Sequence, residues 1–209
     1  MRMVGGLSSK ELSKFVKASY KKKSDAQSVD GYTLDKELSS KRSKVFVDPS
    51  GKVVVAHAGT DQASDWVHNL AVPIPSLYKK QDRYKKAETV QKQANKKYGK
   101  DNITTISHSQ SGAIANELAK KGLTEKSISL NPAILGSHKG LQVVRSKGDV
   151  VSALTSIGDK DVEIKNKTFN PLVEHSTSVL SRQPQEYVGG CCCNEIMRTR
   201  PRGMQFVMD

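Results

Sequence analysis

The stretch that decides the fold is ITTISHSQSGAIANELAKKG, residues 103–122. An apolar run over 103–107 leads directly into Ser-His-Ser-Gln-Ser-Gly, and a helical pattern follows over 110–121. A strand that turns sharply into a helix is the setting that lifts one serine hydroxyl above a sheet. The spacing places Ser109 at the tip of this turn, where the residues two positions away on either side must be small.

The segments around this turn alternate between strand and helix patterns. Amphipathic periodicity predicts helices at 8–20 and 81–98, while residues 21–43 are polar and lysine-rich and favour a loop or partial helix. Apolar runs predict strands at 45–47, 52–58, 127–130, 141–145 and 162–164. Such an alternation is typical of an α/β fold with a mostly parallel central sheet flanked by helices.

The length of 209 residues fits one domain with a short tail. We predict a single domain over 1–182, with an N-terminal helical and polar segment at 7–43, and a flexible tail over 183–209. The net charge of +13 predicts an anionic partner, for which nucleic acid, an anionic membrane and acidic polymers all qualify.

The sequence also bears on location. It has no apolar run of membrane-spanning length and no apolar core of a signal peptide, and its three cysteines, Cys191–Cys193, are adjacent. These features predict a reduced, cytoplasmic protein. Acylation of the cysteines is an alternative to an unmodified tail. The pairs Gly5-Gly6 and Gly189-Gly190 leave proteolytic processing as a further alternative.

Two motifs together resemble the class 3 lipase family of α/β hydrolases. The run SHSQSGA at 107–113 is similar to the family's Gly-His-Ser-Leu-Gly-Gly-Ala. The run HAGT at 57–60, followed by Asp65-Trp66, is similar to an aromatic-Arg-Gly-Thr run followed by Asp-Trp. The resemblance implies a minimal α/β-hydrolase fold and a serine hydrolase that cleaves carboxylic esters of lipid-like substrates without a metal or cofactor.

The same resemblance implies the roles of individual residues. Ser109 corresponds to the nucleophile, and the backbone N–H groups of Thr60 and Gln110 correspond to the oxyanion hole. A nucleophilic serine needs a base and an orienting carboxylate, which follow it in the order acid, then histidine, in this fold. Asp149 matches the family's acid and His175 its loop histidine.

Other residues remain as alternatives for the triad. After Ser109 the only histidines are His138 and His175. Asp159 and Asp161 are alternative carboxylates, and His138 is an alternative base, although it precedes every acid candidate.

Two further functions stay open. In the family, glycines flank the nucleophile in the strand-to-helix turn, which is called the nucleophile elbow. This chain has serine at both positions, 107 and 111, which favours a hydrolase-fold binding or structural module without activity. The lysine-rich helix at 81–98 is either a solvated face or a surface that attracts anionic lipid headgroups. A basic nucleic-acid-binding domain is the weaker interpretation, because no aromatic residues are interleaved with the lysines as stacking platforms.

Overall fold

The computed structural model describes residues 4–25, 28–59, 82–165 and 167–181. Within these residues the fold is built on one eight-stranded sheet whose strand order follows the chain order. The strands are β1 (Ser28–Val29), β2 (Tyr32–Leu34), β3 (Ser43–Val47), β4 (Val53–His57), β5 (Ile103–His108), β6 (Lys126–Leu130), β7 (Gln142–Ser146) and β8 (Val162–Ile164).

The sheet is mixed. Strands β1 to β4 pair antiparallel, while β4 to β8 pair parallel. Strand β5 therefore has a parallel neighbour on each side. The helices among the described residues are α1 (Ser9–Tyr20), α2 (Asp82–Tyr98), α3 (Ser111–Lys120) and α4 (Pro171–His175). The predicted α/β class with a mostly parallel sheet and flanking helices is confirmed, with an antiparallel edge added.

Helix α1 has a strong start signal. The Ser8 hydroxyl accepts from the Glu11 N–H at 3.2 Å, and the Ser8 N–H donates to the Glu11 carboxylate at 2.7 Å. This reciprocal capping box satisfies two N–H groups at the helix start. The buried face of α1 then carries Leu12, Phe15 and Val16 into the core.

The helices cover both faces of the sheet. On one face, α1 and the turn at Thr177–Ser181 share a buried cluster with Phe46, Val54 and Ile106 of the central strands. On the other face, α2 packs on Val45, Val53 and Val55 of β3 and β4. Helix α3 lies beside α2 on that face. The central strands are thus buried on both sides, as their continuous apolar runs require.

The prediction for residues 21–43 was wrong in one respect, because β1 and β2 form a hairpin there. Its turn is Asp30-Gly31, and both residues have positive φ, 48° and 84°. Asp-Gly is a strong signal for a two-residue hairpin turn, since such a turn needs positive φ at both positions. The strands are too short to produce an alternating pattern in the sequence.

Other predictions concern segments at the ends of the chain. Gly5-Gly6 belongs to a short 3-10 turn at Val4–Gly6. The predicted tail at 183–209, with Gly189-Gly190 and Cys191–Cys193, lies outside the described residues. In the described part of the chain no helix has the length and apolar character to cross a membrane.

Candidate active site

Ser109 lies at the turn between β5 and α3 with a φ of 59°. This left-handed conformation is rare for a residue with a side chain, because the Cβ crowds the following carbonyl oxygen. Backbone hydrogen bonds hold it there. The Ser109 N–H donates to Leu130 O at 3.1 Å, and Ser109 O accepts from Gly112 N–H at 2.8 Å and Ala133 N–H at 3.0 Å.

The two serines that flank Ser109, Ser107 and Ser111, are both buried and hydrogen-bonded. Ser107 Oγ donates to Ser129 Oγ at 2.8 Å. Ser111 Oγ accepts from His108 N–H at 3.0 Å and lies 2.7 Å from His57 O. These side chains tie the elbow to the neighbouring strands, so serine fits this turn without opening it.

At Gly112 the structure leaves no space for a side chain. A Cβ at this position would overlap the Pro132 ring and lie 2.8 Å from Ser129 Oγ. Helix α3 therefore approaches the end of β6 at a distance that only glycine permits.

The structure brings Ser109, His175 and Asp149 into one hydrogen-bonded chain. His175 Nε2 lies 2.8 Å from Ser109 Oγ, and His175 Nδ1 lies 2.9 Å from Asp149 Oδ1. Because a carboxylate only accepts, Nδ1 carries the proton and Nε2 is left to accept the serine proton. All three side chains are buried, and Asp149 is only 1% exposed.

The strand order explains why residues so far apart in sequence meet. Ser109 follows β5, Asp149 follows β7 by three residues, and His175 follows β8. These strands are parallel, so their carboxyl ends lie at the same edge of the sheet. Ligand sites of open α/β sheets form at this edge.

The loop of Asp149 fixes its carboxylate. Oδ1 also accepts from Val151 N–H at 3.0 Å, and Oδ2 accepts from Ser152 N–H at 3.2 Å. His175 is the last residue of α4, where Asn170 caps the helix start and Pro171 occupies the first turn. Asn-Pro is a recognisable helix start, whereas the family resemblance implied a loop at this histidine.

A buried glutamate that no sequence motif indicated anchors His175. Glu174 is fully buried, and its Oε1 accepts from Lys167 N–H at 3.1 Å and Thr168 N–H at 3.0 Å. Its Oε2 accepts from Ser146 Oγ at the end of β7. Asn131 adds a bond from its side-chain amide to Glu174 O at 2.9 Å. Helix α4 is thereby fastened to the sheet edge.

His108 connects His175 to helix α1. Its Nε2 lies 3.0 Å from His175 O, and its Nδ1 lies 2.6 Å from Tyr20 Oη. A carbonyl only accepts, so Nε2 carries the proton and the Tyr20 hydroxyl donates to Nδ1. The same hydroxyl accepts from Gly59 N–H at 2.9 Å.

Burial keeps the imidazoles of His108 and His57 neutral. Desolvation lowers the pKa of His108 to about 4, with a further lowering from nearby His175. Desolvation also lowers the pKa of His57 to about 4, and the Arg83 charge contributes. His57 Nδ1 is paired with Ser43 Oγ at 2.8 Å. Neither histidine is hydrogen-bonded to Ser109 within the described structure.

Of the two predicted oxyanion-hole donors, Gln110 lies among the described residues. Gln110 follows Ser109 and is the cap residue of α3, so it lies at the positive end of that helix's dipole. Arg83 of α2 donates to Gln110 Oε1 and to Ala58 O. Thr60, the other predicted donor, lies outside the described residues, as do Asp65 and Trp66.

The alternative triad residues lie elsewhere. His138 Nε2 pairs with Asp161 Oδ2 at 2.8 Å. Asp161 Oδ1 accepts from Val143 N–H near the start of β7, which is the sheet edge opposite the carboxyl ends. Asp159 is exposed on the same loop. Among the described residues no three His, Cys, Asp or Glu side chains are grouped as metal ligands.

The predicted basic helix is α2, and its cations are not equivalent. Lys97 pairs with Asp35 at 2.8 Å and Lys92 with Glu88 at 3.3 Å. Arg83, in the first turn, contacts the elbow. A rise of 1.5 Å per residue places Lys97 about 20 Å along the axis from Arg83. Attraction of α2 to an anionic membrane remains a prediction.

Comparisons with known proteins return no family model, no curated protein and no solved structure that matches this chain. The functional interpretation therefore depends on the geometry of the site.

Proposed function

We propose that the protein is a serine hydrolase that cleaves carboxylic ester bonds of lipid-like substrates. The observation that carries the proposal is the hydrogen-bonded chain from Ser109 through His175 to Asp149 at the tip of a strained strand-to-helix turn. A serine, a base and an orienting acid in this arrangement define nucleophilic acyl transfer on several unrelated folds.

In the proposed reaction, His175 Nε2 takes the Ser109 proton as Ser109 Oγ attacks the ester carbonyl carbon. Asp149 stabilises the imidazolium that forms at His175. The imidazolium then gives its proton to the leaving alcohol, which departs and leaves an acyl-enzyme on Ser109. Water repeats the attack with His175 as base and releases the acid.

The carbonyl oxygen gains negative charge in both steps. We propose that the Gln110 N–H, at the start of α3, donates to this oxygen. We propose the Thr60 N–H as the second donor, in line with the family resemblance. The loss of one such donor typically costs about 3 kcal/mol of transition-state stabilisation.

We also propose that the fold is a minimal α/β hydrolase. The nucleophile follows a central parallel strand, and the acid and base follow later strands in the order acid, then histidine. This order distinguishes α/β hydrolases from the other folds that use the same triad.

The test is cleavage of a soluble ester, p-nitrophenyl butyrate, and labelling by a fluorophosphonate. Ser109→Ala should abolish both, and Asp149→Asn should lower turnover strongly because the orienting charge is lost. Ser107→Ala is the matched control, since Ser107 is buried at the same turn but contacts Ser129.

Mass spectrometry of the labelled chain locates the modified residue. A label on Ser107 or Ser111 would contradict the role proposed for Ser109. A folded chain that neither reacts with the probe nor cleaves any ester would leave the inactive binding module as the better interpretation.

A further inference from the structure

The connection between β7 and β8, residues 147–161, carries Asp149 but contains no α-helix. The structure describes every residue of this connection, and its helical element is the short 3-10 turn Ser152–Leu154. A crossover between parallel strands usually contains an α-helix, whose own hydrogen bonds satisfy its backbone. The carbonyl groups of this connection therefore need partners other than those of a helix.

Arg145 of β7 is the partner of two of these carbonyl groups. Its Nη1 donates to Ser152 O at 3.0 Å and to Thr155 O at 2.9 Å. Its Nε and Nη2 lie 2.9 and 2.8 Å from Glu163 Oε1 of β8. The side chains of Arg145 and Glu163 are only 14% and 10% exposed, so little water competes for these contacts. The guanidinium thus ties the connection to both strands that it joins.

The turn that Arg145 holds is the turn that holds Asp149. Ser152, whose carbonyl accepts from Arg145, donates its N–H to Asp149 Oδ2 at 3.2 Å. The other carboxylate oxygen, Oδ1, lies 2.9 Å from His175 Nδ1. A chain of contacts therefore runs from Arg145 through Ser152 and Asp149 to His175.

We propose that Arg145 is a positioning residue for Asp149, because its guanidinium fixes the turn that orients the carboxylate. This inference rests on the proposed hydrolase function, in which Asp149 holds His175 in the orientation that accepts the serine proton. Arginine carries its donors in a rigid planar fork, so one side chain holds Glu163 and two carbonyl groups together. A lysine ammonium keeps the charge, but it is a single point on a flexible stem and cannot reproduce all of these contacts.

The first experiment separates turnover from substrate binding in Arg145→Lys. Displacement of a group that takes part in the reaction lowers the rate more than it weakens binding. We expect kcat for p-nitrophenyl butyrate to fall about tenfold, while KM changes by less than about twofold. A rise in KM with an unchanged kcat would contradict the proposal.

Asn95→Ala is the matched control. Asn95 also donates from its side chain to a loop carbonyl, Leu123 O, at 2.8 Å. Leu123 precedes β6, so this contact lies at the sheet edge opposite the triad. The control should lower the free energy of unfolding and leave kcat unchanged. A loss of kcat equal to that of Arg145→Lys would mean that Arg145 acts only on stability, and would overturn the proposal.

The second experiment tests whether Arg145 acts through Asp149. The rate of fluorophosphonate labelling at Ser109 is measured for Arg145→Lys in the parent chain and in Asp149→Asn. Groups that act as a unit are not additive. Arg145→Lys should slow labelling about tenfold in the parent chain and by less than about twofold in Asp149→Asn. An equal loss in both backgrounds would mean that Arg145 acts independently of Asp149.

Proton NMR tests the positioning without any reaction. The parent chain should show an Nδ1 proton of His175 that exchanges slowly with water, because Asp149 accepts it. Arg145→Lys should speed this exchange, and Asn95→Ala should not. Equal exchange in the two variants would overturn the proposal. A parent chain that cleaves no ester and takes no label would refute the hydrolase function, while this signal would still decide the role of Arg145.

A second variant serves if Arg145→Lys does not fold. Glu163→Gln weakens the hold on the guanidinium but leaves an oxygen that accepts from it and both carbonyl contacts. The same pattern is expected with smaller losses, namely a lower kcat, little change in KM and no further effect in Asp149→Asn. Any other pattern would count against the positioning role.

Discussion

The Tyr20 hydroxyl links three segments of the candidate site, so its removal is a direct test of how the base is held. It donates to His108 Nδ1 at 2.6 Å and accepts from Gly59 N–H at 2.9 Å. His108 Nε2 in turn donates to the carbonyl of His175, the proposed base. Tyr20→Phe removes one oxygen and leaves the ring.

The expected loss follows from the two groups that remain. The His108 acceptor and the Gly59 donor are both buried, and each buried polar group without a partner costs about 1–3 kcal/mol. Since part of this cost relaxes, we expect the free energy of unfolding to fall by roughly 2–4 kcal/mol. We expect turnover to fall by about tenfold with little change in KM, because the change displaces His175 and Gly59 rather than a substrate contact.

Urea unfolding measures the stability, and ester kinetics measure kcat and KM. Nitrogen chemical shifts of His108 report its tautomer, which should be protonated at Nε2 in the parent chain. Tyr32→Phe is the matched control, because Tyr32 packs edge-to-face on Phe15 in the same cluster, away from the triad. A parent His108 protonated at Nδ1, or equal losses in the two variants, would refute the linkage.

Three other changes test the elbow and the buried histidines. The free energy of unfolding of Ser109→Gly should exceed that of Ser109→Ala by about 1 kcal/mol. Both variants lose the His175 contact, but only glycine accepts a φ of 59° freely. Gly112→Ala should destabilise by about 1–3 kcal/mol, measured in urea, because its methyl group overlaps Pro132; an unchanged stability would contradict this packing. Burial lowers the pKa of His57 and His108 from 6.5 to about 4, so protons are taken up on unfolding between these values. The free energy of unfolding should therefore fall on acidification through this range, by about 1.4 kcal/mol per pH unit for each histidine, and a flat profile between neutral pH and about pH 5 would contradict their burial.

The elbow was predictable from sequence because its signals are local. An apolar run, a group of small polar residues and a helical period follow one another within twenty residues. The structure places β5 at Ile103–His108 and α3 at Ser111–Lys120, within one residue of the predicted limits. The family resemblance then implied Asp149 and His175, and the parallel strand order brings them to the same edge.

The support around the triad was not predictable in this way. The Tyr20 to His108 bond joins residues that are 88 positions apart, and the Ser146 to Glu174 bond joins residues 28 apart. No local period marks a tyrosine at a helix end as the partner of a distant imidazole. The Asp30-Gly31 hairpin, in contrast, carried a clear local signal that the polar composition of its surroundings obscured.

The turn at Thr177–Ser181 has a consequence for how the protein folds. Its Val179 and Leu180 share a buried cluster with Leu12 and Phe15 of α1, so the segment that holds His175 is secured by contacts of very long range. Contacts of this kind are slow to form, because a long loop must close first. During refolding the elbow, which depends on nearer neighbours, would exist before His175 arrives. The rate at which a fluorophosphonate reacts with Ser109 during refolding would then report when His175 reaches its position beside Ser109.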